Sequence, residues 1–550
     1  MTHPALPAPI ARHSHLALIL LCLALWLPGF FTLPTTDRDE GRFAQATKQM
    51  LETGDFVRIR YGEEARNRKP VGIHWMQAPF AAVARATGVA VANPIWPYRI
   101  PSLLGGIAAV LLTFRLGRHL AGERAALLGA AMLAASVLLA AETHIAKTDA
   151  VLLALTTACA LLLGRAYLDP GGMTSRHAAG FWLAMGAAVL VKGPIAPLLI
   201  GLTIAALLVA DRHVRGAHWL RGLRAGWGLP LALLVVLPWF IAIFIATGGQ
   251  FFRDALGGDF AGKAVGGAEA HGGPPGYYVL LAPLLLFPAT VPVLLALPAA
   301  WRARARPLTR FLLAWALPFW VLFELVPTKL PHYVLPAFPA LCLLGARWLE
   351  DASSAPRWAW RWALGGTVAA ALVLGFGGAA LPVLLLSGPA VALGVAPLAA
   401  AAMLFWLAWR ARRPAGAFAA CLAMPLLTFA LLELVLPALR PVWIAPRLRE
   451  ALAEHEPARI ANLGFHEPSA LFLIGTQMRL LRDPAVAAGF LAAAPGNVVL
   501  VNERQIRRFL DAAARAGVEA APRAEVAGLD YAAGRWVRVS LFVNSAAPAR

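Results

Sequence analysis

The sequence predicts a polytopic α-helical membrane protein with a small C-terminal α/β domain, and three observations carry that reading. Of the 550 residues, 59% are hydrophobic and only 14% charged. A soluble protein carries about a quarter charged residues, so a soluble enzyme is excluded. Apolar runs of roughly 17–25 residues, long enough to cross a hydrocarbon core about 30 Å thick, recur along most of the chain. They stop near Leu436, after which short β-rich segments alternate with helical ones. The 48 glycines and 42 prolines show no period and lie among apolar runs, which excludes collagen-like and disordered chains.

The first span is expected from Leu16 to Leu33. It follows Arg12 but lacks a small-x-small cleavage site, so it reads as an uncleaved span and not as a signal peptide. Further spans are expected near 99–117, 125–141, 150–168, 178–192, 194–210, 227–247, 276–298, 309–326, 332–349, 360–382, 386–408 and 416–437, about thirteen in all. Residues 1–437 form the transmembrane domain on this reading.

The formal charge of +20, from 49 Lys+Arg against 29 Asp+Glu, would point to nucleic acid in a soluble chain. Here the arginines gather in alternate turns: Arg115/Arg118/Arg124, Arg165/Arg176, Arg212/Arg215/Arg221/Arg224, Arg302/Arg304/Arg306/Arg310, Arg347/Arg357/Arg361 and Arg410/Arg412/Arg413. Cytoplasmic turns carry such an excess. The N-terminus is therefore expected in the cytoplasm, and no nucleic-acid partner is called for. The opposite face receives the loop 34–98, the Glu142–Asp149 turn, Lys192, the loop 248–275 and Thr328–His332. The four cysteines, Cys22, Cys159, Cys342 and Cys421, lie far apart in apolar runs and form neither a metal spacing nor a disulfide framework.

Residues 438–550 read as an outer-face α/β domain joined through Pro441 and Pro446. Strands are expected at Arg459–Phe465, Asn497–Asn502 and Trp536–Asn544, with helices at Pro484–Ala494 and Glu503–Gly517. The domain shows no nucleotide-binding glycine loop and no catalytic motif. It reads as a structural or acceptor-handling appendage.

The loop 34–98 is rich in charge and opens on Asp39-Glu40-Gly41-Arg42-Phe43-Ala44. Phe43, Ala44, Ala46, Met50 and Leu51 recur with helical period. They predict an amphipathic helix along the interface, with the two acids at its N-terminus, where they suit the helix dipole whether or not they do chemistry. The cluster Arg58, Arg60, Arg66, Arg68 and Lys69 runs against the positive-inside bias. Cations beside a membrane pair with phosphate, through arginine forks or a lysine point charge, so a lipid phosphate is the natural partner.

Further polar residues stand at outer span ends: Glu142, His144, Lys147, Asp149, Lys192, Lys263, His271, Lys329, His332 and Tyr333. Ionisable groups at membrane depth are costly and point to function. His144 and Lys147 read as interfacial anchors, and Glu324 and Glu433 suit a paired structural role as well as catalysis. One face thus holds both acids and phosphate-binding cations, as a transfer reaction on a phosphate-bearing amphiphile requires.

The order Asp39-Glu40-Gly41-Arg42-Phe43-Ala44, Lys69-Pro70 with His74-Trp75, Lys192-Gly193 and Lys329-Leu330-Pro331-His332-Tyr333-Val334-Leu335-Pro336 resembles the aminoarabinose transferases of lipid A. It is also similar to the wider dolichyl-phosphate-mannose protein mannosyltransferase group of GT-C glycosyltransferases. The likeness covers most of residues 30–345. It implies a GT-C fold in a bacterial inner membrane, with the active site and the C-terminal domain in the periplasm. It also implies a polyprenyl-phosphate-linked sugar as donor and lipid A or another envelope molecule as acceptor. By the same resemblance Asp39 is the catalytic aspartate, with Glu40 and Arg42 beside it. Lys69, Lys192, Lys263 and Tyr333 hold the donor phosphate, and Asp149, Lys329 and His332 support them. Arg68 stands where the family has an acid, and Lys263 where the aminoarabinose enzymes usually have arginine, so the charge is kept without the bidentate fork.

Within the enzyme class, a protein O-mannosyltransferase or an envelope-glycan transferase is the alternative. Outside it stands a lipid transporter or flippase, which would place its charges at the midplane between repeated halves. Acids and histidines are present (Asp39, Glu40, His144, His271) without dense ligand spacing, so a divalent metal stays open. The sugar and the oligomeric state are not legible.

Overall fold

The computed structural model describes residues 13–36, 38–88, 93–211, 216–255, 272–351, 355–410 and 414–545. Lys263 and His271 lie outside the described residues, as do Arg12, Arg212, Arg215, Arg412 and Arg413. The chain is a polytopic helical membrane protein. Seven helices are long and apolar enough to cross a bilayer: Trp96–Ala121, Asp149–Leu168, Ala225–Thr247, Pro307–Leu325, Arg357–Leu385, Gly388–Arg410 and Gly416–Ala438. An eighth crossing is added if Glu123–Ala135 and Val137–Thr143, bent by 61° at their junction, form one span. By length and composition alone, seven or eight crossings are identified among the described residues, and the expected count of thirteen is not confirmed. Several expected spans are shorter apolar helices, namely Ser14–Trp26, Ile195–Asp211 and Thr290–Arg302. At 1.5 Å per residue, about 13–17 residues of helix reach only ~20–25 Å.

The chain divides into two compact units. The first comprises Met1–Phe31, Asn67–Ile73 and Arg99–Val435. Three local features of this unit position its polar residues. Ser136 breaks the bent helix with an extended backbone (ψ 134°), and its hydroxyl donates to Leu133 O at 2.8 Å. Gly105 lets the Trp96–Ala121 helix lie directly on the start of the Asp149–Leu168 helix, because a Cβ there would meet the Val151 backbone at 2.8 Å. Gly193, at φ 64°, ends the Ser175–Lys192 helix immediately after the lysine. Only glycine takes that backbone conformation without strain.

The second unit comprises Thr32–Arg66, His74–Tyr98 and Leu436–Arg550. Its sheet has five strands, β3 (Arg459–Leu463), β4 (Arg479–Leu481), β5 (Asn497–Asn502), β6 (Ala520–Asp530) and β7 (Arg535–Asn544); β1 (Arg60–Tyr61) and β2 (Glu64–Ala65) form a separate short hairpin. The order is β4-β3-β5-β7-β6, with β3 parallel to β4 and β5 and the other pairs antiparallel. Helices cover both faces, so β5 is buried throughout. Val498 and Leu500 join one core with Leu448 and Leu471, while Val499 and Val501 join the other with Phe509 and Leu491. The period-two alternation of a strand produces that division. The expected strands and helices of residues 438–550 are all present, and β4 and β6 are additions.

Candidate functional site

The Asp39–Thr53 helix was expected to lie along the interface with one apolar face. It is instead buried from Phe43 through Met50, polar residues included. Gly41 allows this, since a Cβ would stand 2.8 Å from the backbone of Pro468 and Ser469. Most of the inward polar groups are matched, Gln45 Oε1 excepted. Gln45 donates to Thr476 Oγ1 at 2.8 Å, the Thr47 hydroxyl donates to Gln77 Oε1 at 2.6 Å and lies 2.8 Å from His74 Nδ1, and Lys48 Nζ donates to Phe472 O at 3.1 Å. Burial holds the Lys48 ammonium below its ordinary value of 10.5, with Glu52 opposing. Lys48, Glu52, Arg85, Asn93 and Tyr98 line a cavity of about 220 Å³ in this unit.

At the head of this helix the two acids differ. Glu40 is fully buried and accepts from the Thr36 N–H at 2.8 Å and the Thr36 hydroxyl at 2.9 Å, which secures the chain entering the helix. The Asp39 carboxylate is 38% exposed and lies 3.9 Å from the Arg66 guanidinium. Arg66 in turn sits over the Phe43 ring, 4.5 Å from its centroid. Asp39 is thus partly accessible and paired with a cation. Arg42 is half-buried and forms no ion pair among the described residues.

The first unit holds a cluster of charge of its own. The Glu142–Asp149 turn is fastened by Ser102, whose hydroxyl donates to Ile145 O at 2.7 Å and to Lys147 O at 3.2 Å. Asp149 opens its helix and pairs through Oδ1 with Lys192 and through Oδ2 with Lys147 at 3.6 Å. Lys147 Nζ also lies 3.0 Å from Glu142 Oε2 and 3.2 Å from His332 Nδ1. The His332 ring completes the cluster, 3.7 Å from Glu142 and 3.8 Å from Asp149. Burial, and after it the ammonium groups of Lys147, Lys192 and Lys69, push His332 well below its ordinary 6.5 against the pull of Asp149. Lys192 Nζ stands 5.7 Å from the centre of the Tyr333 ring.

Of the residues expected from sequence, the structure brings together Lys69, Asp149, Lys192, His332 and Tyr333 in this unit. Lys329 is placed apart: its ammonium donates to Phe323 O at 2.7 Å and Glu324 O at 2.6 Å, closing the C-terminal end of the Pro307–Leu325 helix, where a cation is favoured. Glu324 accepts from the Gly276 and Val279 N–H groups at 2.8 and 2.9 Å, and Glu433 from the Gly29 N–H at 2.6 Å, so both carboxylates are structural. His144 faces two carbonyls, Ala140 O at 2.6 Å and Pro28 O at 2.8 Å. Lys147 is no interfacial anchor, since its side chain is only 7% exposed. Glu142 and Lys147 were named from the sequence only among the outer polar residues, and their joining Asp149 in one cluster is what sequence reasoning missed. The available signal was an acid and a base flanking Asp149 in one short outer turn.

The oxygen and nitrogen donors of Glu142, Asp149 and His332 all lie within 4.8 Å of one another, close enough to hold a metal ion. Lys147 Nζ already stands 3.0 Å from Glu142, 3.6 Å from Asp149 and 3.2 Å from His332. A metal binds such donors at about 2.0–2.2 Å, and it could not share that space with an ammonium. The residues present do not fit a metal.

Comparison with known proteins follows from this geometry. A family described as dolichyl-phosphate-mannose-protein mannosyltransferase matches residues 68–242. An undecaprenyl phosphate-α-4-amino-4-deoxy-L-arabinose arabinosyl transferase of Pseudomonas fluorescens is 30% identical over 359 residues, covering 61% of this chain and 60% of that protein. Its counterpart in Pseudomonas aeruginosa is 29% identical over 353 residues, covering 61% and 59%. The alignable part thus spans about three-fifths of the length of these relatives. The crystal structure of ArnT from Cupriavidus metallidurans bound to undecaprenyl phosphate superposes with a TM-score of 0.76 at 19% identity, over 97% of this chain and 99% of that one. The apo form of the same protein gives 0.74 at 20% identity. In fold the chain is similar to the ArnT crystal structures, and over about three-fifths of its length its sequence is similar to the aminoarabinose transferases.

Proposed function

We propose that the protein is a glycosyltransferase that moves a sugar from a polyprenyl-phosphate donor to an acceptor at the outer face of a bacterial inner membrane. Lipid A is the acceptor best in keeping with the relatives. The observation that carries the reading is the gathering of Lys69, Lys192 and Tyr333 about the Asp149–His332 pair, at helix ends in the first unit. Cations at that depth suit a lipid phosphate. The orientation follows from the arginine-rich turns, with the N-terminus cytoplasmic and the C-terminal domain periplasmic.

On this reading the donor is already activated, so no nucleotide is needed. Lys69, Lys192, Lys263 and Tyr333 stabilise the charge that the lipid phosphate gains as the anomeric bond breaks. Asp39, assigned by its sequence motif, orients or deprotonates the acceptor for attack from the opposite side, and the sugar carbon inverts. An ionised phosphate acceptor needs orientation, whereas a hydroxyl needs the base. His332 supports these groups from beside Asp149, at 3.8 Å, while Glu40, Arg42 and Lys329 are assigned a supporting part by their sequence motifs alone. Because an ammonium stands among the metal-type donors, no step is assigned to a metal.

A protein hydroxyl is the alternative acceptor, favoured by the match of residues 68–242 to the protein mannosyltransferase family and by Arg68 in place of an acid. Membranes supplied with donor lipid and each acceptor provide the test. Asp39→Asn is expected to lower turnover by about 10²–10⁴-fold with donor binding retained. Turnover equal to wild type would remove Asp39 from the mechanism. Mass spectrometry of lipid A and of glycoproteins from a deletion strain separates the two acceptors.

A further inference from the structure

We propose that Lys147 is a built-in cation that occupies the position of a divalent metal among Glu142, Asp149 and His332, and that it holds Asp149 in place to orient Lys192. The donor set is of metal-binding type: two carboxylates and an imidazole whose ligand atoms lie within 4.8 Å of one another. Its centre is filled. Nζ of Lys147 is hydrogen-bonded to His332 Nδ1 at 3.2 Å and forms ion pairs with Glu142 at 3.0 Å and Asp149 at 3.6 Å, all longer than the metal–ligand distances such donors make.

Charge supports the assignment. The side chains of Glu142, Lys147 and Asp149 are between 4 and 7% exposed, so their charges must be balanced locally. Lys147 and Lys192 stand against the two carboxylates. A dication added to this set would leave two uncompensated positive charges in a buried site. Removal of Lys147 would instead leave three well-placed ligands around an open position that a divalent ion can take.

The turn is also built to hold the ammonium in place. Ser102 clamps Lys147 O and Ile145 O from a neighbouring helix, so the lysine backbone is fixed independently of its side chain. Asp149 then has one oxygen for each lysine, Oδ2 for Lys147 and Oδ1 for Lys192. Lys147 therefore sets the carboxylate plane from which Lys192 is presented. It is a positioning residue, and it rests on the reading of Lys192 as a phosphate ligand.

The experiment uses the full chain in lipid nanodiscs, stripped with a chelator, equilibrated with Zn²⁺ or Mn²⁺ and measured for bound metal by elemental analysis. Wild type is expected to hold no more metal than Glu142→Gln, and its turnover is expected to be unchanged by EDTA. Lys147→Ala and the bulkier neutral Lys147→Gln are expected to gain about one equivalent of metal per chain, and Lys147→Ala combined with Glu142→Gln to lose it again. Their turnover should fall at least tenfold and recover in part with metal. Lys147→Arg should stay metal-free.

One equivalent of metal in wild type that disappears in Glu142→Gln overturns the proposal. So do a folded Lys147→Ala and a folded Lys147→Gln that both remain metal-free. Should neither variant fold, the wild-type stoichiometry decides alone. Metal content is read without any substrate, so it can fail while the glycosyltransferase reading stands, and the reverse holds as well.

Discussion

The side chains that matter most here are charged groups in surroundings that make charge expensive, and each is legible through its partners. Lys192 is bonded to a carboxylate that is itself 4% exposed. A lipid phosphate arriving beside it competes with Asp149 for the same ammonium. Lys192→Met removes a charge-assisted bond worth about 1.5–3 kcal/mol, which predicts a rise in the donor KM of roughly 10–150-fold with a smaller change in kcat. Lys192→Arg should restore part of the loss, because charge returns with a different reach. A purely structural role would lower protein yield and leave the donor KM of the surviving enzyme unaltered, and kinetics across a donor titration separates the two. Glu40 and Asp39 show why residue type alone misleads. They are adjacent and chemically alike, yet one carboxylate is consumed by Thr36 and the other is left accessible beside Arg66.

Among the elements, close helix approach is what brings polar ends together. The Trp96–Ala121 helix carries Ser102 to the Glu142–Asp149 turn, and Gly105, one turn further on, permits the contact with Val151. Gly105→Val places a branched side chain against backbone that cannot move aside. Overpacking of this kind costs about 1–3 kcal/mol, and the expected outcome is a lower thermal midpoint together with reduced turnover. Gly201→Ala, where nothing lies within 4 Å of the added Cβ, should leave both nearly unchanged. Comparing the midpoints of the two variants in the same detergent checks the argument. The strands of the C-terminal region were legible because a strand buried on both faces, such as Asn497–Asn502, reads as a continuous apolar run. The fate of the Asp39–Thr53 helix was not legible. Its amphipathic pattern marks an apolar face, but Gln45, Thr47 and Lys48 are buried by partners that lie 27 to 431 residues away in sequence, and no local period reports those.

At the scale of the whole molecule, the arginine distribution and the four cysteines yield a direct topology experiment. All four cysteines are buried, so an introduced thiol can be read against a low background. Glu519→Cys and Arg118→Cys replace exposed residues on faces assigned to opposite sides of the membrane. A membrane-impermeant maleimide is expected to label Glu519→Cys in intact spheroplasts and Arg118→Cys only after permeabilisation; the reverse pattern would invert the orientation. Composition by itself determined that the chain is a helical membrane protein, because burying 59% apolar residues with 14% charged ones leaves no soluble alternative. Motif order pointed to Asp39, Lys69, Lys192 and Tyr333, because each is carried on a short local pattern. The tertiary structure decided the rest. It showed which expected spans are long enough to cross, that Lys329 and Glu324 serve helix ends, and that Glu142 and Lys147 join Asp149, Lys192 and His332 in one buried cluster. The physical reason is that a buried charge is stable only with its counter-charge, and the counter-charges here come from segments as far apart in the chain as Glu142 and His332.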